Sequence, residues 1–429
     1  MYIELPIEIA SVLNASNLSS NDANILNNYF QEHKIRNVTK EEPYVSISHS
    51  INRSELETTI NSHRRFLILS LTNKCNMDCT YCVYHDKFNT RSFTNQTMPF
   101  SIAKKAIDEI FDYSSNVDTI HFGFYGGECL VEFDLLKDCV EYIRSISNGV
   151  PVSFGTTTNG LLLNNKKYRE FLTKNDFSVV VSLDGPLEIN DIYRKDKNGL
   201  GVFRRVIKNI KDWYTENSLF VEKHVIINAV KASGTSLKLL DDYFSNFPIR
   251  YTYGDLYETD YFRDNEINFE NSYIKSLNDN LNYQYSNQFL NEHISSFKKY
   301  EMNMPCEIPN RILPGAPCIP VYIRLFVNTD GEYYPCEKVD EKMEYRIGCV
   351  ENGVDIDRII DLYNEYIRVS RIKCRGCWAF RLCGRCFKNI SEDCDIHKEN
   401  ILNNMAFYIS YLKNDKSSLR IMEDTIYSI

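Results

Sequence analysis

The sequence predicts an α/β fold, a partial (β/α)6 barrel with a small N-terminal module and a Cys-rich C-terminal domain, and three observations predict it. From residue 66 onward, short β-branched runs alternate with amphipathic segments of helical length, as in parallel strands joined by right-handed crossovers. The 14 cysteines are unevenly spread, nine of them lying between Cys306 and Cys394. At 429 residues, with 43% hydrophobic and 25% charged residues, the chain is long and apolar enough to bury a sizeable core, which excludes disorder as its main state.

The strands expected are FLILSLT (66–72), TIHFGFY (119–125), VPVSFGT (150–156), SVVVSLD (178–184), HVIINAV (224–230) and IRYTYGD (249–255). Six βα units leave a barrel open on one side. Helices fill the gaps: Ser101 is expected to cap IAKKAIDEIF, whose Ile102, Ala106, Ile107 and Ile110 form an apolar stripe. Residues 1–63 break this pattern. Leu13, Leu18, Ile25, Leu26 and Phe30 suggest helices there, and Tyr44 to Ile51 a strand. The barrel is expected over 64–256, a polar helical connection over 257–305, the Cys-rich domain over 306–396, and a C-terminal helix and tail over 397–429, with the helix near Asn400 to Tyr411.

Charge and hydropathy exclude several classes. A net charge of −9 argues against nucleic acid as the main partner, because phosphate binding needs a concentrated basic face. No apolar run approaches the roughly 18 residues of a membrane span, and Glu4 and Glu8 stand where a secretory signal would be basic. A cytoplasmic location without membrane contact is therefore expected. A reducing cytosol would not sustain a disulfide framework, so the C-terminal cysteines point to metal ligation.

Directly after the first expected strand, LTNKCNMDCTYCVYHD sets Cys75, Cys79 and Cys82 in a Cys-x3-Cys-x2-Cys array. Chance yields about 0.015 such arrays in a chain of this cysteine content. Active sites of parallel barrels lie at the C-terminal ends of strands, where this loop sits. Three thiolates on a [4Fe-4S] cube leave one iron open to a small molecule. The alternative is a zinc knuckle, with His85 as fourth ligand.

The array, with Tyr81 just before its third cysteine, resembles the signature of the radical S-adenosylmethionine (radical SAM) superfamily, whose members have a partial or full βα barrel. Gly126, Gly127 and Glu128 at the end of the second strand resemble that family's Gly-Gly-Glu motif, which implies backbone close to the methionine moiety and an acid for its ammonium. Thr158 and Asn159 after the third strand, and Ser182 and Asp184 after the fourth, are similar to further motifs that in relatives hold nucleoside and substrate. Arg194 is a candidate partner of the cofactor carboxylate or an ordinary surface residue.

The later pattern, Cys318, Gly331, Cys336, then Cys374-x2-Cys377-x5-Cys383-x2-Cys386 and Cys394, resembles the SPASM domain of related enzymes, which holds two auxiliary [4Fe-4S] clusters. It departs in having two residues, where three are usual, between Cys383 and Cys386. By position the resemblance assigns Cys374, Cys377, Cys383 and Cys394 to one cluster and Cys318, Cys336 and Cys386 to the other, with Cys306 as the eighth ligand or an open iron in its place. Two zinc sites are the alternative. Cys129, Cys139 and Cys349 read as small buried apolar residues.

Three clusters and S-adenosylmethionine imply a 5′-deoxyadenosyl radical that abstracts hydrogen, auxiliary clusters that take up electrons, and a flavodoxin or ferredoxin-type reductant. The resemblance points to a peptide maturase forming a thioether or carbon–carbon cross-link, with residues 1–63 gripping the leader of a precursor peptide by strand addition. The second reading is an anaerobic sulfatase-maturating enzyme. In those relatives an aspartate follows the cysteine matched by Cys336, and here Glu337 stands there as the candidate catalytic acid–base. A non-catalytic zinc or electron-carrier protein is the third reading.

Overall fold

The structure, a computed structural model, describes residues 53–255 and 324–401 apart from 63, 86–90, 92–93, 232–236 and a scatter of positions after Cys374. The edge expected over Tyr44 to Ile51, the connection over 257–305, Cys306, Cys318 and most of the terminal helix and tail lie outside the described residues.

All six expected strands form, with ends shifted by up to two residues: β1 (Phe66–Thr72), β2 (Ile120–Gly126), β3 (Val152–Thr158), β4 (Ser178–Ser182), β5 (Val225–Lys231) and β6 (Arg250–Asp255). They pair in parallel in chain order. Helices cross between them, including α1 (Phe100–Asp112), α2 (Phe133–Ile146), α3 (Lys166–Lys174), α4 (Leu187–Tyr193) and α5 (Phe203–Glu216). The strands bury Leu67, Leu69, Phe122, Phe124, Val179, Val181, Ile227 and Ala229 in one continuous core. Such burial contributes about 1.5–3 kcal/mol for each large apolar side chain.

The α1 cap differs from expectation. The helix starts at Phe100 behind an extended Pro99, so Ser101 lies inside the first turn and no side chain caps the end. Ala103 is buried along with Ala106, Ile107 and Ile110, whereas Ile102 is half-buried.

Two further strands extend the sheet. β7 (Arg324–Val327) runs parallel to β1, with Phe66 opposite Arg324 and Leu69 opposite Val327, and β8 (Tyr333–Tyr334) returns antiparallel to it. Seven parallel strands result, in the order β6-β5-β4-β3-β2-β1-β7 with β8 outermost. The chain leading into the later cysteines thus covers the β1 edge that six units leave open. Beyond it, the β9–β10 hairpin (Gly348–Cys349, Gly353–Val354) leads into α6 (Ile356–Lys373), capped at its start by Asp355, whose Oδ1 accepts from Arg358 N at 3.1 Å. Cys349 is half-buried in this hairpin, while Cys129 and Cys139 are buried as expected.

Candidate functional site

The three-cysteine loop leaves the C-terminal end of β1 and is fixed by its neighbours on both sides. Gly127 N donates to Thr72 O at 2.8 Å and Glu128 N to Lys74 O at 2.9 Å, tying the end of β2 to the loop's stem. A Cβ at Gly126, whose φ is +135°, would lie 2.3 Å from Thr72 O, and one at Gly127 would lie 2.4 Å from Lys74 O. Both glycines are therefore required by the protein's own backbone. On the other side Asp78 N donates to Lys195 O at 2.9 Å and Thr80 N to Tyr193 O at 3.0 Å.

Glu128 is buried where β2 and β3 end. Its Oε1 accepts from Thr158 Oγ1 at 2.9 Å and Leu130 N at 3.2 Å, and its Oε2 from Asn159 N at 2.7 Å. Burial pushes its carboxyl up to about 7, against the pull of these three donors. Two oxygens offer about four acceptor sites, so one remains for a further donor such as an ammonium. Asn159 carries the connection onward, Nδ2 donating to Asn76 Oδ1 at 2.7 Å and lying 3.8 Å from Cys75 Sγ.

Arg194 is neither at the surface nor unpaired. It is buried, and its Nε lies 2.9 Å from Oδ2 of the fully buried Asp184. Tyr81 donates to the same Oδ2 at 2.6 Å, and the guanidinium carbon stands 5.4 Å over the Tyr81 ring. Burial alone would lower the Arg194 pKa, but Asp184 and the tyrosine hold it above the ordinary value. Asp184 Oδ1 in turn accepts from Val230 N at 2.9 Å, so one carboxylate joins the cysteine loop to the ends of β4 and β5. Ser182 is half-buried at the end of β4.

The thiols fit an iron–sulfur cluster. Burial pushes Cys75 and Cys82 up to about 12 and raises Cys79, and each of Cys75 and Cys82 has another cysteine of the array among the groups that raise it. Buried thiols gathered this way ionise when a cation takes them up. Among the described residues no three His, Cys, Asp or Glu side chains close on a point as they would around one metal ion. On a cuboidal cluster each thiolate binds its own iron. His85 Nε2 lies 4.0 Å from Asp78 Oδ1.

The later cysteines cluster at the C-terminal end of α6. Cys374 N donates to Ser370 O at 2.9 Å as the helix cap, and Cys377 N to Cys374 O at 3.1 Å. The Cys374 thiol is pushed up to about 11 by burial, then by Cys383, Cys377 and Cys394. Cys336 is raised by burial and Glu337, with Cys386 also contributing. Around a small core of Val339, Tyr366 and Phe387 pack Cys336, Cys374 and Cys386. Glu337 faces Arg324, whose Nη1 is 2.9 and 3.2 Å from its two carboxylate oxygens.

Sequence reasoning missed Arg91. Its side chain is 3% exposed, Nε 2.9 Å from Glu341 Oε1, with Nη2 donating to Glu337 O at 2.8 Å and Val339 O at 3.0 Å. It stacks over Tyr84 and Phe326 at 5.4 and 5.1 Å. Arg91 therefore links the chain after the first array to the segment after Cys336. No local spacing marks a single buried arginine, since its partners lie some 250 residues away.

Residues 69–219 match the Radical SAM superfamily, and this stretch is a radical SAM domain. Such a domain implies one [4Fe-4S] cluster and S-adenosylmethionine. A cysteine-type anaerobic sulfatase-maturating enzyme of Clostridium novyi is 25% identical over 340 residues, 74% of this chain and 86% of that protein. The radical SAM cyclopropyl synthase TigE of Paramaledivibacter caminithermalis is 24% identical over 205 residues, 46% and 39% of the two chains. The solved structure of native anSMEcpe with bound AdoMet superimposes with a TM-score of 0.61 at 20% identity, covering 82% of this chain and 100% of that one, which establishes the shared fold. Among the described residues no helix is long and apolar enough to cross a membrane.

Proposed function

We propose that this chain is a radical SAM peptide maturase that abstracts hydrogen from a precursor peptide and installs an oxidative cross-link, a thioether or a carbon–carbon bond. Cys75, Cys79 and Cys82 would hold the cluster that cleaves S-adenosylmethionine, and that pair of cofactors supplies the radical when bound. Glu128 and Asn159 orient the loops around the cofactor's amino acid end, with one acceptor site of Glu128 left for its ammonium. The Asp184–Arg194 pair and Tyr81 fix the cysteine loop to the strand ends and keep water from the region between them.

The later cysteines fit two auxiliary clusters, with Cys374, Cys377, Cys383 and Cys394 on one and Cys306, Cys318, Cys336 and Cys386 on the other. These would accept the electron left when the substrate radical becomes product. A flavodoxin or ferredoxin-type protein would supply the electron that starts the cycle. Residues 1–63 would bind the leader of the peptide.

The observation that carries the cross-linking reading is Glu337. Converting a cysteine or serine to an aldehyde needs a base for the substrate's thiol or hydroxyl, and here a glutamate stands in place of the relatives' aspartate, with both its oxygens turned onto Arg324 Nη1. The second reading, a sulfatase-maturating enzyme forming formylglycine, is favoured by the 74% of this chain that aligns with the Clostridium novyi relative. Turnover of a genomically adjacent short peptide should lower its mass by about two daltons and give a product that does not react with a hydrazide. A hydrazone-forming product made from a sulfatase peptide would instead establish the second reading and discard the first.

A further inference from the structure

We propose that the basic segment from Lys195 to Lys211 is the docking surface of an acidic one-electron carrier protein, and that electrons enter the barrel site through it. Over this segment six Lys and Arg stand against a single Asp, in a chain whose net charge is −9. Lys197, Arg204, Arg205, Lys208 and Lys211 are all exposed. The one acid, Asp196, is internally satisfied: its Oδ1 accepts from Asn198 N and Leu200 N at 2.9 and 3.0 Å, and its Oδ2 lies 2.6 Å from Arg205 Nη2. Lys208 pairs with Asp212 at 2.6 Å, but the pair is exposed and costs little to open, so an acidic partner can compete for the lysine.

The position of this surface matters as much as its sign. The segment is stitched to the three-cysteine loop by Asp78 N to Lys195 O, Thr80 N to Tyr193 O and a bridge between Met77 and Asp196. Beside it a hollow of about 500 Å³ is lined by Asn76, Leu161, Asn164, Lys197, Arg205 and Lys208. Asn76 reaches from that hollow to the first cysteine, with Oδ1 4.0 Å from Cys75 Sγ. A positive surface thus lies one side chain away from a thiol of the array. Electron transfer falls steeply with distance, so a donor must come this near.

Reductive cleavage of a sulfonium takes up one electron: the carrier is oxidised by one, the carbon–sulfur bond breaks to a thioether and a carbon radical, and no proton moves. Transient redox encounters bury small, charge-matched interfaces, which a compact basic patch suits. The inference rests on the radical SAM chemistry and not on which bond the enzyme forms.

The test uses the full chain with its clusters, wild type against Lys197→Glu/Lys208→Glu, and recombinant flavodoxin as the acidic probe. Binding is read by titration calorimetry at low and high salt. We expect the double variant to weaken flavodoxin binding by about tenfold or more and to flatten its salt dependence. Deoxyadenosine formation driven by reduced flavodoxin should fall in parallel, while the dithionite-driven rate holds. Equal flavodoxin affinity in the two proteins, or none in the wild type, overturns the proposal. So does loss of the dithionite-driven rate in the variant alone, or weakened binding of an acidic substrate peptide with flavodoxin binding intact. Absence of dithionite-driven cleavage in both proteins sinks the radical reading instead, and the calorimetry then still decides the docking surface.

Discussion

The two cysteine regions of this molecule are held in different ways. Cys75, Cys79 and Cys82 sit on a loop whose backbone is hydrogen-bonded to Gly127, Glu128, Tyr193 and Lys195, above the main core of the barrel. Cys336, Cys374 and Cys386 surround a separate core of three buried side chains, and Cys377, Cys383, Cys386 and Cys394 lie outside helices and strands. In the first region the protein's own hydrogen bonds fix the thiols, and the proposed cluster would complete them. In the second, the proposed auxiliary clusters would contribute to folding itself, because metal binding by ligands from separate segments is coupled to folding.

The sharpest way to break this contrast is to remove the ligands. Replacing Cys75, Cys79 and Cys82 with alanine should abolish deoxyadenosine release, by about three orders of magnitude or more, because the cofactor and not the protein supplies the reactivity. Circular dichroism should show the barrel still folded. If the barrel melts instead, the loop is not independent of its cluster. Stripping iron with a chelator should leave the stretch from Phe66 to Lys231 resistant to protease and expose sites beyond Cys374. Equal sensitivity in both regions would erase the difference.

Arg91 and Arg324 sharpen the comparison at the junction. Arg91→Ala should cost about 3–5 kcal/mol in denaturant unfolding, because it strands the half-buried Glu341, whose Oε1 is shielded from water, and two carbonyls. Arg324→Ala should cost about 1 kcal/mol or less, since Arg324 is 42% exposed.

Glu128 gives an effect whose sign depends on pH. Its folded carboxyl, near 7 against an ordinary 4.5, favours the protonated form, so its contribution is fully present below about pH 4.5 and is lost as pH rises through 7. The stability of the wild type relative to Glu128→Gln should therefore fall across that window, by roughly 3 kcal/mol at most. A flat difference would mean that the three donors outweigh burial.

Much of the barrel was legible in the chain because its signals are local. Alternation of β-branched runs with helical stretches locates six strands to within two residues, and Gly126 and Gly127 announce a tight approach. The approach itself is a different matter. Their missing side chains are needed against Thr72 and Lys74, a contact between two strand ends that no local pattern describes. Arg194 illustrates the same limit: a polar loop on the page of the sequence becomes a buried ion pair because α4 returns it to Asp184. The strand at Arg324–Val327 is four residues long and carries no periodicity of its own, and it forms because β1 offers an unpaired edge.

The sequence by itself determined where the six barrel strands lie, the three-thiol loop at the end of β1 and the cysteine spacing that follows, since each is written in residues near one another along the chain. Only the tertiary structure decided which charges are buried together, that the segment before the later cysteines closes onto β1, and that a basic surface lies against the loop bearing Cys75. Burial and long-range pairing are properties of residues far apart in sequence, and they acquire definite energies only once the fold has removed water from between them.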